Sequence, residues 1–346
     1  MLKVAVAGAT GYMGAELLRL LLGHPKVEIT TVTSERSAGG ELERLLPNLR
    51  GHLPLTLEAL DPARLAQAAD VVLLALPHTH AMAAVPEILR AGKRVIDLSA
   101  DYRLKDPAVF SEWYRTPHTD PVHLSSAVYG LPELHRKAIA SAHLVANPGC
   151  YPAGAILALA PLLARGLVSG DGIIVDAKSG ITGAGKTLEA RYLFTEANEN
   201  LQAYGVASHR HTPEMEQELS AIAEREVRLT FTPHLIPLNR GLLTTAYAPL
   251  SRAIETAPLL EVFRDFYSRE PFIRVLPEGE FPRVRAVLAS NYCDIGLSVD
   301  RRVGKVIVIS AIDNLGKGGA AQAIQNLNIM QGWDERTGLE APPVYP

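Results

Sequence analysis

The segment LKVAVAGATGYMGAELLRLL (2–21) constrains the fold of this 346-residue chain more than any other. A β-branched apolar run ends at Gly8, three glycines follow in G-x-x-G-x-x-G spacing (Gly8, Gly11, Gly14), and an amphipathic helical pattern starts at once. A strand, a glycine turn and a helix in immediate succession form the first βα junction of a parallel sheet. Such a turn brings backbone N–H groups and a helix N-terminus close to a pyrophosphate, where a Cβ would be in the way.

The pattern continues through the first half. LKVAVAG, VEITTVTS, DVVLLALP, RVIDLS and HLVANP read as strands, alternating with helical segments such as PARLAQAAD and MAAVPEILRAG. This is the rhythm of a doubly wound, Rossmann-like α/β domain over residues 1–149. After Cys150 one strongly apolar helix is followed by GIIVDAKS, VRLTFTPHLIP, RGLLTTAYAPL, CDIGLSV and KVIVISAID, which alternate apolar and polar residues. Period-two alternation gives a sheet with one dry and one wet face, so residues 150–313 read as an α+β domain with a mostly antiparallel sheet. The last helical pattern, within 314–332, carries an apolar stripe with which it could rejoin the first domain. A sheet with one face to cover also suits a homo-oligomer, a dimer or tetramer.

Composition excludes several classes. A net charge of −3 with 47% hydrophobic residues indicates an ordered globular protein with no nucleic-acid footprint. AGAILALAPLLA (153–164) is interrupted by Pro161 and falls short of the ~20 residues that span a bilayer. The N-terminus enters a strand without a signal-peptide pattern, so a cytoplasmic location is expected. The two cysteines, Cys150 and Cys293, suit neither a disulfide framework nor a metal site.

The cofactor choice turns on the end of the second strand. Where NAD enzymes place an acid on the ribose, this chain reads TVTSERSAG, with Ser34, Arg36 and Ser37. Small hydroxyls and an arginine suit a 2′-phosphate and hence NADP(H), unless Glu35 faces the ribose instead. Cys150 follows Pro148-Gly149 at the mouth of the fifth strand and opens an apolar helix, whose N-terminus favours a thiolate. Cys293 sits on an alternating strand and reads as core. A nucleophilic cysteine beside a nicotinamide implies acyl-level redox chemistry through a thioester. His209 and His211 of HRHTPE are the candidate proton donors, two apart just before a helix, and spacing alone does not choose between them.

One motif competes with this reading. SGITGAGKT (179–187) contains a literal match to the phosphate loop G-x-x-x-x-G-K-[ST]. Yet the strand before it alternates Ile173, Val175 and Ala177 with Ile174, Asp176 and Lys178, whereas a phosphate-loop strand is buried on both faces. The segment reads better as a glycine loop whose backbone from Ser179 and Gly180 to Gly185 touches ligand, with Lys186 dispensable.

ANPGCYPAG, GATGYMGAELLRLLLGHP, ALPH, LSADYRL, YGLPEL, SGITGAG, HRHTPE and AIDNLGKGGAAQAIQNLN together resemble the N-acetyl-gamma-glutamyl-phosphate reductase family of the semialdehyde dehydrogenases, from end to end of the chain. The resemblance implies NADPH-dependent reduction of a small acyl phosphate to N-acetylglutamate semialdehyde and phosphate, in arginine biosynthesis. It makes Cys150 the nucleophile and His209 the acid and base. It places Gly8, Thr10, Gly11, Tyr12, Ser34, Arg36, Ser37 and Pro77 on NADP, with Asn314 near the nicotinamide. Arg103, Arg210 and Arg240 are phosphate candidates, a salt bridge being the alternative for each. Ala153 stands where the family commonly has threonine. The rivals are a reductase of carrier-bound aminoadipyl phosphate or of aspartyl phosphate, and outside the enzymes an NADP-binding redox sensor.

Overall fold

The computed structural model describes residues 1–345, which divide into two compact units: Met1–Pro148 with Gly319–Ala341, and Gly149–Gly318 with the tail from Pro342.

The first unit is built on a six-stranded parallel sheet. Its strands are β1 (Leu2–Ala7), β2 (Val27–Thr33), β3 (Val71–Leu74), β4 (Arg94–Asp97), β5 (Val128–Tyr129) and β6 (Leu144–Ala146), in the order β2-β1-β3-β4-β6-β5. The five long-read strands are all present, and the two-residue β5 adds an edge that is too short to show a pattern in sequence. VVLL of β3 is buried at every position, as a parallel strand covered on both faces must be. Val72, Leu74, Val85, Ile88, Val95 and Phe110 belong to one cluster that joins this sheet to the helix Ala81–Arg90. The strand order reverses at β1, with β2 added on one side of it and β3 on the other, while all strands run parallel. The carboxyl ends of β1 and β3 therefore flank the crevice in which doubly wound sheets bind ligands.

The helix Ala321–Met330 belongs to this first unit and is buried along its whole length, not on one stripe. Gln325, Asn326 and Asn328 find partners within the unit, while neither amide atom of buried Gln322 has one. Asn326 Nδ2 donates to Gly130 O (2.8 Å), and Asn328 bonds the His24 ring (2.9 Å) and the carbonyls of Glu335 and Thr337.

The second unit carries a seven-stranded mixed sheet. Its strands are β7 (Ile173–Gly180), β8 (Gln202–Ala203), β9 (Leu229–Ile236), β10 (Leu242–Pro249), β11 (Ile273–Val275), β12 (Cys293–Asp300) and β13 (Lys305–Ile312), in the order β11-β12-β13-β10-β7-β9-β8. Four of its six pairings are antiparallel, while β7–β9 and β11–β12 are parallel. The expected alternation appears in β10, whose even positions lie buried and odd ones half-buried. The helix Cys150–Ala164 covers the dry face: Gly154 O accepts from Ser310 Oγ of β13 (2.9 Å), and a Cβ on Gly154 would stand 3.1 Å from Thr244 Oγ1 of β10. Burial from Tyr151 to Leu163 tolerates Pro161 because neighbouring side chains hold the helix in place.

Candidate active site

In the first unit the glycine turn forms as its spacing requires. Gly8 has φ +79°, and a Cβ there would meet Ala75 O at 2.3 Å; a Cβ on Gly14 would meet Gly8 O at the same distance. Both contacts are with backbone, which cannot give way, so the turn accepts only glycine at these two positions. Gly11 is the N-cap of the helix Tyr12–Leu22 and brings no side chain to the first-turn amides. A bare helix N-terminus in a glycine cradle is the donor set that a pyrophosphate needs, so the residues present fit a dinucleotide.

At the end of β2 the Ser34 and Thr10 hydroxyls lie 2.9 Å apart. Glu35, Arg36 and Ser37 form a single 3₁₀ turn, with Arg36 exposed. The carboxylate of Glu35 accepts the Leu60 N–H at 2.7 Å. It is thereby directed into the next loop, which leaves Ser34, Arg36 and Ser37 as the polar groups of the turn and favours a 2′-phosphate over a free ribose hydroxyl. Pro77 lies exposed in the loop after β3. Arg103 is buried, its Nε donating to Asn147 O and its Nη2 to Leu98 O, both at 2.8 Å.

In the second unit Cys150 is the first residue of its helix, with Gly149 as N-cap. Gly318 presses on it: a Cβ there would stand 2.8 Å from Cys150 Cβ. Glu214, fully buried, accepts the Gly149 N–H at 2.8 Å. It is the third residue of the helix Thr212–Ala223, whose N-cap is His211, so one carboxylate ties the start of the histidine helix to the start of the cysteine helix. Glu214 was visible in sequence only as an acid in a helix's first turn; nothing local could give its partner, 65 residues away.

His209 sits in an aromatic box. The rings of Tyr151, Tyr204, Phe231 and His211 meet it nearly edge-on, with centroids 5.6, 5.4, 5.2 and 4.8 Å away. Tyr151 and Tyr204 are themselves linked by their hydroxyls at 3.2 Å. Desolvation in this box, helped by the charge of Arg210, pushes the His209 imidazole down to about 4. Its Nδ1 accepts the His211 N–H at 3.1 Å, so the neutral ring carries its proton on Nε2. The two histidines thus have different surroundings: His211 caps a helix, and His209 is boxed and oriented.

SGITGAGKT ends β7 and turns through a 3₁₀ segment, Ile181–Ala184, after which Gly185 to Glu189 form a turn and irregular chain rather than the helix that a phosphate loop opens. The backbone of Gly180 packs against Asn239 and Arg240, and Gly180 N donates to Gly241 O at 2.8 Å. Buried Ser179 bonds the Gly180 carbonyl. Asn314 stitches the loop down, its Oδ1 accepting Gly241 N–H (2.7 Å) and its Nδ2 donating to Thr182 Oγ1 (3.0 Å). Arg240 Nε pairs with buried Asp313 at 3.0 Å, while Arg210 is exposed beside His209. Ser179, Gly180, Arg210, Arg240 and Asn314 belong to the unit that holds Cys150 and His209, and the glycine cradle, Pro77 and Arg103 to the other. Among the described residues no cluster of His, Cys, Asp and Glu could hold a metal ion, and no helix is long and apolar enough to cross a membrane.

Comparison with known proteins agrees with both units. The family described as semialdehyde dehydrogenase, NAD binding domain matches residues 3–142, and the one described as semialdehyde dehydrogenase, dimerisation domain matches 150–314. Among solved structures, aspartate semialdehyde dehydrogenase II of Vibrio cholerae shares the fold at a TM-score of 0.72 and 19% identity, covering 96% of this chain and 98% of that one. An aspartate semialdehyde dehydrogenase of Candida albicans, solved with NADP, gives 0.70 at 18% identity, covering 95% and 99%. These likenesses place the chain among the semialdehyde dehydrogenases. N-acetyl-gamma-glutamyl-phosphate reductases of Geotalea daltonii and Desulforudis audaxviator are 54% and 50% identical to it, over the whole of both chains. The chain belongs to the N-acetyl-gamma-glutamyl-phosphate reductase family.

Proposed function

We propose that Cys150 and His209 carry out the reaction of this family: the NADPH-dependent reduction of N-acetyl-gamma-glutamyl phosphate to N-acetylglutamate 5-semialdehyde and phosphate, a step of arginine biosynthesis. The observation that carries the assignment of roles is the placement of the oriented, boxed imidazole of His209 against Tyr151, the residue that follows Cys150 at the helix N-terminus.

Gly8, Thr10, Gly11 and Tyr12 would hold the pyrophosphate of NADP(H), and Ser34, Arg36 and Ser37 its 2′-phosphate. The sulfur of Cys150 attacks the acyl carbon, the C–O bond to phosphate breaks, and the thiol proton leaves with the phosphate, so a thioester forms with no net proton uptake. The helix N-terminus steadies the thiolate as it develops. The Nε2–H of His209 is the donor turned to the carbonyl oxygen as it becomes an oxyanion. When bound, NADPH supplies the hydride that reduces the thioester. Expulsion of the Cys150 sulfur then releases the aldehyde, and one proton is taken up overall. Arg210, exposed beside His209, is the stronger candidate for the phosphate, because buried Arg103 donates Nε and Nη2 to backbone carbonyls and Arg240 Nε is paired with Asp313.

The reverse reaction tests the whole assignment. NADP, inorganic phosphate and N-acetylglutamate semialdehyde should give NADPH at a rate that depends on phosphate, while aspartate semialdehyde gives little. Equal rates with both aldehydes would defeat the substrate assignment, and NADP binding without turnover would identify a redox sensor instead.

The protein acts in the cytoplasm as a homo-oligomer. Large apolar side chains stay exposed between β7 and β9, among them Leu188, Leu193, Phe194 and Leu201, in the region whose family description is dimerisation. Light scattering should show a dimer or tetramer for the parent and a smaller species for Phe194→Asp with Leu188→Asp. A monomeric parent would refute the proposal.

A further inference from the structure

Two loops at the carboxyl end of the parallel sheet are laced together by one acid. Asp101, wholly buried in LSADYRL, accepts the Thr79 N–H on Oδ1 (2.6 Å) and the Met82 N–H on Oδ2 (3.1 Å). A third bond runs the other way, from Ala100 N–H to Nδ1 of His78 (3.1 Å). The loop thus gripped, Leu76–His80, follows β3 and flanks the crevice opposite the Gly8 turn. It is held in an unfavourable shape. Thr79 has φ +73°, a left-handed conformation that is unfavourable for a β-branched residue. The helix Ala81–Arg90 that follows has no side-chain cap of its own, since its N-cap His80 makes no such bond. Asp101 supplies that missing cap from the neighbouring loop.

Strain in a non-glycine residue persists only where its surroundings over-determine it, and it concentrates at ligand clamps. Here Asp101 and Met82 are buried, while Pro77 and His80 of the same stretch are exposed in the loop after β3. Asp101 itself is sealed from solvent and has its carboxylate committed, and a second buried acid stands behind it. Asp97 bonds Ser99 N–H (2.9 Å) and Oγ (2.8 Å), and the Ser99 hydroxyl accepts Asp101 N–H at 3.1 Å. Burial, and next the charge of Asp101, push the Asp97 carboxyl up to about 7. A carboxylate kept in such a place, with two backbone amides as its partners, is there to fix the backbone.

We propose that Asp101 is a positioning residue for the cofactor, clamping Leu76–His80 in the strained shape that forms one wall of the nucleotide crevice. The proposal rests on the reading of that crevice as the NADP site. Asp101→Asn leaves an acceptor for one of the two amides and turns an NH₂ toward the other. It should weaken NADPH binding about tenfold in a fluorescence titration, the loss expected of one charged hydrogen bond, with kcat at saturating NADPH within about twofold. Adding Thr79→Gly, which removes the strain, should recover most of the affinity. A folded Asp101→Asn protein with NADPH affinity within twofold of the parent overturns the clamp. If Asp101→Asn does not fold, hydrogen exchange of the unaltered protein decides. Slower exchange at Thr79 and Met82 on adding NADPH supports the clamp; unchanged exchange there with slowing at Gly8–Gly14 overturns it. No slowing at either segment overturns the nucleotide site and the clamp together.

Discussion

Cys150→Ser should lower kcat by about 10⁴-fold or more while leaving the Kd for NADPH within about twofold of the parent. The asymmetry follows from where the groups lie. The nucleotide cradle is built by Gly8, Gly11, Gly14 and the end of β2, all in the first unit, and Cys150 belongs to the second. Serine is nearly the same size, so Gly318, which packs against Cys150 Cβ, meets no new atom. What changes is the nucleophile. A thiol ionises near pH 8.5 and a helix N-terminus brings that closer to neutrality, while an alkanol in the same position stays protonated. Single-turnover measurement with N-acetyl-gamma-glutamyl phosphate would show the parent releasing phosphate before NADPH is added, and the serine variant releasing none. Phosphate-dependent turnover within tenfold of the parent would mean that another group attacks the substrate. Glu214 qualifies the simple helix argument. Its carboxylate on the Gly149 amide puts negative charge beside the same N-terminus, so the dipole acts on Cys150 against an opposing charge and not alone.

Much of this arrangement was legible in the sequence because it is local. A glycine turn between strand and helix needs only its own neighbours, and so do a cysteine opening an apolar helix and two histidines before a Thr-Pro-Glu start. What escaped was set by long-range pairing. β7 and β9 alternate in sequence like antiparallel partners yet run parallel, since the dry face depends on period and not on direction. The short strands β5, β8 and β11 have too few residues to show any period. The resemblance to a family pointed to Asn314 as a nicotinamide neighbour; what the coordinates reveal is that its carboxamide ties Gly241 to Thr182. Arg240 looked like a phosphate ligand by type, and its pairing with Asp313 depends on β10 and β13 lying side by side. The phosphate-loop match failed for the reason its strand already displayed: β7 has a wet face, and no helix opens at Gly185–Thr187.

His209→Ala should cost about 10³-fold in kcat, and the pH profile together with a second variant should show which of its two possible roles is lost. With the imidazole lowered to about 4 by desolvation first and Arg210 second, roughly one molecule in 10³ carries imidazolium at pH 7. A mechanism that needs the free enzyme's His209 protonated would be nearly silent at neutral pH and would gain activity as pH falls toward 4. A mechanism that uses the neutral ring as an Nε2–H donor is fully competent above pH 5 and loses kcat/KM only as pH falls through about 4. The His211 N–H on Nδ1 selects the second, because it fixes the proton on Nε2. His209→Gln, whose amide can present an N–H from nearly the same place, should therefore keep at least tenfold more activity than His209→Ala. The same lowering has a stability consequence of opposite appearance. Between about 6.5 and 4 the unfolded chain binds a proton at this residue that the folded chain refuses, so stability should fall as pH drops through that window, and His209→Gln should flatten the fall. An acid limb of kcat/KM near 6.5, or a glutamine variant as inactive as the alanine one, would return His209 to the role of an ordinary acid and base.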